Sequence, residues 1–394
     1  MDKQTMIPFS AGEKLLAPRT FTTLVKPVGA RCNLRCKYCY YLPTAELYDG
    51  HESRMSLALL EEYIRQYIDA VEAPVATFCW HGGEPLLAGI DFYRKAMELQ
   101  ERYRGDKTIE NTLQTNGTLV DEAWCDFFRQ HRFLVGLSLD GPQALHDAHR
   151  LDAAGEPTHG RVARAALLMA SRGVEFNILC AVNAVSVRQP LIVYRYLRRL
   201  CPYIQFLPVC DGGDPASIGG EEWGRFLCAV YDEWVAHDVG RVFVQLFDVT
   251  LQQWCGMRAT LCAFCETCGD GLAVEHNGDV YCCDHFVDGG HRLGNLLQTP
   301  LAELARDARQ TAFGTDKFST LPRQCRRCEW LFLCHGECPE HRHAVSDDGE
   351  GSMNALCAGY RRFFAHTADD MRLMRSLLER QLPPAEIMRT KKTR

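Results

Sequence analysis

A chain of 394 residues, 46% apolar and 24% charged with a formal net charge of −6, can bury a large core in one or two domains. Its acidic balance excludes a general nucleic-acid binder, which would be basic. No apolar run approaches the roughly 20 residues of a membrane span, and the N-terminus MDKQTMIPFSAGEKLL lacks a signal-peptide apolar core, so a soluble, cytoplasmic protein is expected.

Residues 1–20 read as a tail, and an alternation of apolar runs with amphipathic segments occupies 21–240. Candidate strands are FTTLVKP (21–27), VATFCWHG (75–82), NTLQTNG (111–117), FLVGLSLDG (133–141), FNILCAVN (176–183) and IQFLPV (204–209). Between the first two, Leu57, Leu60, Ile64, Ile68 and Val71 recur at helical spacing behind a capping Ser56. The segments 161–172 and 190–200 look similar, the latter opened by Pro190. Repeated β-α units predict a parallel sheet, open or closed into a barrel, with its chemistry at the C-terminal strand ends. PVGARCNLRC, HGGEP, QTNG and SLDGP all fall at such ends. Residues 221–236 read as a helix with Phe226, Leu227, Val230 and Trp234 on one face. The character changes over 241–394. LAVEHNGDVYCCD (272–284) predicts a hairpin with a two-residue Asn277-Gly278 turn. Otherwise 262–357 is loop-rich, and a helix near 367–380 closes the chain.

Twenty cysteines are too many for packing alone. Cytosolic thiols stay reduced, so metal binding is the natural use for most of them. Cys79, Cys125, Cys180, Cys201, Cys210 and Cys228 lie in apolar or helical contexts, where cysteine acts as a small hydrophobe. The others cluster. CNLRCKYCYYL sets Cys32, Cys36 and Cys39 in a C-x3-C-x2-C loop after the first strand. Structural zinc wants four ligands, usually from paired knuckles, and an iron–sulfur cubane normally takes four thiolates. A trio of thiolates leaves one iron open to a small molecule. The second set runs Cys262-x5-Cys268, Cys283, Cys325-x2-Cys328-x5-Cys334-x3-Cys338 and Cys357, and zinc is the alternative on spacing alone.

The C-x3-C-x-aromatic-C loop resembles the signature of radical S-adenosylmethionine (SAM) enzymes. That resemblance implies an α/β fold with a partial (β/α)6 barrel, and a [4Fe–4S] cluster on Cys32, Cys36 and Cys39 whose open iron chelates SAM. It places Tyr38 beside the adenine, and Gly82, Gly83 and Glu84 of GGEP at the amino group. Ser138 and Arg150 match the ribose and carboxylate contacts, with Asn116 a further contact. The later cysteines resemble the SPASM domain, a loop-rich, Fe–S-stabilised extension with a small hairpin and C-terminal helices. This implies one auxiliary [4Fe–4S] cluster on Cys262, Cys268, Cys283 and Cys338 and another on Cys325, Cys328, Cys334 and Cys357, three clusters in all. Cys255, Cys265 and Cys282 match no ligand position.

KPVGARCNLRCKYCYYL, WHGGEPLLAGIDFY, LQTNGTLVDEAWCDFF, VGLSLDGPQALHDAHR, VEHNGDVYCCDHFV and RLGNLL together resemble the anaerobic sulfatase-maturating enzymes. The resemblance implies oxidation of a Cys or Ser in a C/S-x-P-x-R type motif of a sulfatase to Cα-formylglycine, with a flavodoxin- or ferredoxin-like reductant. Asp284, next to Cys283, matches the proposed catalytic base. His81 stands where members of that family carry Gln. A SPASM maturase forming thioether or carbon–carbon links in another peptide is the alternative. Such enzymes often carry an N-terminal peptide-binding domain, and the roughly 20 residues before the first strand count against it. A metal-stabilised scaffold has no use for a three-ligand cluster.

Overall fold

All six expected strands form: β1 (Thr22–Val25), β2 (Val75–Trp80), β3 (Thr108–Thr115), β4 (Leu134–Ser138), β5 (Glu175–Val182) and β6 (Tyr203–Pro208). They are seen in a computed structural model that describes residues 21–48 and 54–392; the tail expected over 1–20 lies outside them. A short β7 (Phe243–Val244) follows, and the seven pair in sequential order, each parallel to the next. The crossovers run through helices Leu57–Ala70, Ile90–Tyr103, Glu122–Gln130, His159–Arg172, Pro190–Leu197 and Gly220–His237. Parallel neighbours need such connections, and every strand thereby delivers its C-terminal end to the same rim.

Local chemistry accounts for the first crossover. The Ser56 side chain accepts from the Leu59 amide and caps the helix. Leu60, Ile64 and Ile68 are buried as their spacing predicts, but Leu57 is 54% exposed. Tyr63 and Tyr67 fill that face instead, packing edge-on to Phe78 of β2. Large rings bury more area than the leucine they replace.

The sheet does not close on itself, because the outer edge of β1 is occupied. β8 (Gly271–Val274) pairs with it in parallel, and β9 (Asp279–Tyr281) and β10 (Arg292–Asn295) continue antiparallel, giving ten strands. The hairpin is present with a loop one residue longer than predicted. The Glu275 amide donates to Asp279 O and the Gly278 amide to Glu275 O, with Gly278 at φ +90°. This leaves His276–Gly278 as a turn whose last residue takes the left-handed conformation glycine allows.

The helix expected to close the chain starts at Cys357 rather than near 367, runs to Glu379 and is followed by a short helix Ile387–Lys392. It crosses Gly220–His237 at a glycine contact: a Cβ on Gly224 would stand 2.8 Å from Gly359 Cα. The last cysteine of the pattern therefore opens the helix that docks onto the barrel. Among the described residues no helix is long and apolar enough to cross a membrane.

Candidate active site

The loop after β1 carries the cysteine trio, and neighbouring strand ends hold it from below. The Gly83 amide donates to Gly29 O and the Glu84 amide to Arg31 O, both at 2.9 Å. A Cβ on Gly83 would stand 2.2 Å from Arg31 O, and Gly82 sits at φ +117°. Glycine is thus required here so that the GGE turn can lie against the cysteine loop's own backbone. Glu84 is fully buried, and its carboxylate accepts from Leu86 N (3.0 Å), Thr115 Oγ1 (2.9 Å) and Asn116 N (2.8 Å). Burial pushes its carboxyl up to about 7 against those three donors. Its side chain is a strut between β2 and β3, so any SAM contact from this turn falls to the backbone.

Asn116 donates to Asn33 Oδ1 (2.8 Å) and reaches Cys32 Sγ (3.8 Å). Burial raises the Cys32 thiol to about 12, with Glu84, Cys36 and Cys39 adding like charge against the Leu34 amide. At Cys36 burial again raises the thiol, and Arg150 opposes it. Arg150 Nε donates to Asp140 Oδ2 at 3.0 Å, and its Nη1 lies 3.9 Å from Cys36 Sγ. Tyr38 donates its hydroxyl to the same Asp140 and lies beneath the guanidinium, 5.5 Å from the ring centroid. Asp140 itself is fully buried and accepts the Ala181 amide. Ser138, at the end of β4, accepts from Gln114 Nε2 at 2.9 Å. Tyr38, Arg150, Asn116 and the cysteines are thus brought onto one rim, with Ser138 at the next strand end.

The later thiols fall into two electrostatic neighbourhoods. Burial raises Cys283 to about 12, with Asp284, Cys262 and Cys268 adding to it. Cys338 is pushed well up by burial, with Glu337 and Cys283 reinforcing it. Cys334 is raised by burial and by Cys357 and Cys325, and Cys357 to about 11 by burial with Cys325 and Cys328. A cavity of about 400 Å³ is lined by Cys325, Cys328, Cys334 and Cys357. Neutral thiols crowded together, most of them half-buried, are what a soft metal centre converts to thiolates, and this set fits a cluster. Among the described residues no three His, Cys, Asp or Glu side chains converge as a single-ion site. Cys265, expected as a non-ligand, donates to Ala259 O.

Asp284 follows directly on Cys283, and its buried carboxylate is ion-paired with Lys26 at the end of β1. Burial opposes its ionisation, but Lys26, His81 and His285 outweigh that and hold the carboxyl well below the usual range. Lys26 is itself fully buried, donates to His81 Nδ1 (3.0 Å) and lies 4.5 Å over the Tyr41 ring. Burial and Lys26 hold His81 down to about 4, so it accepts as a neutral ring. Tyr40 donates to Asp284 Oδ2 at 2.6 Å, is 43% exposed, and stacks on His285 with centroids 4.9 Å apart. Lys26, Tyr40, Asp140 and His285 were not singled out by the sequence. The one signal for Lys26 is a charge directly after a strand of threonine and aliphatic residues.

The chain matches the Radical SAM superfamily over residues 27–187 and the iron-sulfur cluster-binding SPASM domain over 261–329. It is 43% identical over 391 residues, 94% of each chain, to a serine-type anaerobic sulfatase-maturating enzyme of Bacteroides thetaiotaomicron. It is 33% identical to the cysteine-type enzyme of Clostridium perfringens, covering 87% of this chain and 95% of that one. Its fold superposes on native anSMEcpe with bound AdoMet at a TM-score of 0.82 and 33% identity, covering 90% of this chain and 99% of that one. A complex of anSMEcpe with AdoMet and the Cp18Cys peptide gives 0.83 at 32% identity, covering 91% and 99%. The strand-end cysteine trio, the later thiol sets and likeness along nearly the whole chain agree: this protein belongs to the anaerobic sulfatase-maturating enzymes.

Proposed function

We propose that this enzyme oxidises one serine or cysteine of a sulfatase, within a C/S-x-P-x-R type motif, to Cα-formylglycine. The observation that carries the reading is the placement of Asp284: a carboxylate held ionised, one residue from a cysteine of the auxiliary set, anchored by a lysine from the first barrel strand. Higher identity to a serine-type relative than to a cysteine-type one favours serine as the target. Cys32, Cys36 and Cys39 would hold the SAM cluster, Cys262, Cys268, Cys283 and Cys338 one auxiliary cluster, and Cys325, Cys328, Cys334 and Cys357 the other. When bound, SAM and these clusters supply a hydrogen-abstracting radical and an electron acceptor. The substrate then loses a Cβ hydrogen atom, an O–H or S–H proton and one electron; serine becomes the aldehyde, and cysteine a thioaldehyde that water hydrolyses to it with release of hydrogen sulfide.

Within that scheme Asp284 takes the proton, a role that depends first on geometry and then on its being unprotonated. Lys26 and Tyr40 fix its two oxygens, and the neutral His81 keeps the lysine turned toward it. The GGE turn, Asn116, Ser138, Tyr38 and Arg150 position SAM. A flavodoxin- or ferredoxin-like protein is the proposed electron donor, and the cytoplasm the proposed location.

Anaerobic incubation with SAM, a reductant and synthetic peptides carrying S-x-P-x-R or C-x-P-x-R tests the reading by mass spectrometry. The serine peptide should lose two hydrogens. SAM cleavage with both peptides left intact, or a cross-linked product, would overturn it.

A further inference from the structure

The rim opposite the cysteine trio carries a second cavity, of about 440 Å³, within the size range of small-molecule sites. Tyr203 opens β6 and Phe243 opens β7, side by side in register, and their rings stack with centroids 5.1 Å apart at 14°. β7 runs straight into helix Gln245–Trp254, whose first turn brings Asp248 to the cavity. Met257 and, from helix Cys357–Glu379, Leu378 extend the apolar wall. Tyr203, Phe243, Met257 and Leu378 are all exposed, so the cavity opens to solvent.

Asp248 is the member that packing does not explain. An acid in a first helical turn ordinarily meets the free amides there. This helix has no side-chain cap bond, and Asp248 has no hydrogen-bond or ion-pair partner among the described residues. Its oxygens are not sealed by protein, so the carboxylate stays open to the cavity. Burial pushes its carboxyl up to about 7, and no neighbouring charge offsets that. Among the described residues no lysine, arginine or histidine lines the cavity. The other titratable lining groups are the Tyr203 phenol and the Cys255 thiol; burial raises that thiol, with Arg375 and Glu379 acting on it from the long helix.

A half-buried carboxylate without a counter-charge has lost hydration that a matched cation would replace. A metal ion would meet a single carboxylate, short of the several oxygens that calcium or magnesium takes. A positive head group on an apolar stem fits better. Its N–H donors reach the carboxylate, and the aromatic faces and aliphatic wall take the stem and attract the charge. We infer that this cavity is a binding site for an organic cation, a guanidinium or ammonium group on a short alkyl chain, with Asp248 as its counter-ion. It lies at the strand ends opposite the SAM-cluster residues, and is independent both of the radical chemistry and of which peptide is oxidised.

The test titrates the anaerobically reconstituted holoprotein in a calorimeter with n-butylguanidinium, n-butylammonium and the uncharged n-butylurea, at about pH 8. A cation should bind saturably, and n-butylurea about tenfold more weakly or worse. Protonation removes the charge of Asp248, so cation affinity should fall as pH drops through about 7, approaching tenfold per unit below it. Asp248→Asn should raise the dissociation constant about tenfold or more and flatten that pH profile, with iron content and SAM cleavage at parent values. Asp248→Glu keeps the charge and should retain the affinity within about threefold. Absence of saturable binding of either cation to the parent up to about 10 mM would overturn the inference without recourse to any variant. Equal binding of n-butylurea, or unchanged cation affinity in Asp248→Asn, would overturn it too.

Discussion

The loop that carries Cys32, Cys36 and Cys39 and the stretch that carries the eight later cysteines of the ligand pattern hold their thiols by different means. The first is shaped by the sheet: Gly83, Glu84 and Asn116, from the ends of β2 and β3, tie its backbone and its side chains. The second has little regular structure, with four-residue helices Arg323–Arg326 and Leu331–Cys334, and with His335 and Glu337 both at positive φ. Four of its thiols, Cys325, Cys328, Cys334 and Cys357, line one cavity. The comparison teaches that the sheet shapes the first region by itself, whereas a metal centre in the second would have to hold its architecture as well as serve its chemistry. A site whose ligands are not otherwise held makes binding free energy into folding free energy.

The sharpest way to break this contrast is to remove each set. Replacing Cys32, Cys36 and Cys39 by Ala should abolish SAM cleavage, leave the fold intact by circular dichroism, and keep about two thirds of roughly twelve irons. Replacing Cys325 and Cys334 by Ala should instead broaden or abolish the thermal transition. Equal thermal behaviour in the two variants would erase the distinction.

Next in size is the anchor that joins the regions. Lys26→Met strands a buried carboxylate, and removing one partner of a buried pair costs about 3–5 kcal/mol. Denaturant unfolding should register that loss, together with reduced product formation. Unchanged stability would mean that Asp284 finds another partner.

Gly83→Ala probes the sheet's grip on the first loop alone. Its Cβ would stand 2.2 Å from Arg31 O, so the turn must move; about 2–4 kcal/mol is expected, with preferential loss of the SAM-cluster iron. Even loss across all three clusters would contradict the view of that loop as locally held.

The last effect, absent at neutral pH, is a pH dependence behind Arg150. Burial holds His146 down to about 4, and Thr158, bonded to its ring, donates to Arg150 O at 2.6 Å. The unfolded chain takes up a proton near pH 6.5 that the folded chain refuses, so stability is full above that pH. It should fall by about 1.4 kcal/mol per pH unit as pH drops from about 6.5 toward 4. His146→Gln should flatten that limb in pH-dependent thermal melts; an unaltered limb would assign it elsewhere.

Much of this was legible in the sequence, because strands and cysteine ligation are local patterns. Alternating apolar runs located all six principal strands, and thiol spacing together with the family resemblance located the loops. What stayed hidden depends on contacts between distant residues. The pairing of β8 on β1 leaves no periodic mark, yet it sets Asp284 beside Lys26, 258 residues away in sequence. Lys26 alone reads as a strand terminus. Glu84 was grouped with SAM contacts through its motif, and only the three donors at its carboxylate reveal a strut. Cys357 looked like the end of a loop, because the helix it opens is fixed by the glycine crossing with Gly224.

The role of Asp284 is tested most directly by following 5′-deoxyadenosine and oxidised peptide side by side in Asp284→Asn. SAM cleavage should continue at close to the parent rate while product falls about a hundredfold or more. Product formed at the parent rate would contradict the assignment and leave the buried Lys26–Asp284 pair a purely structural contact.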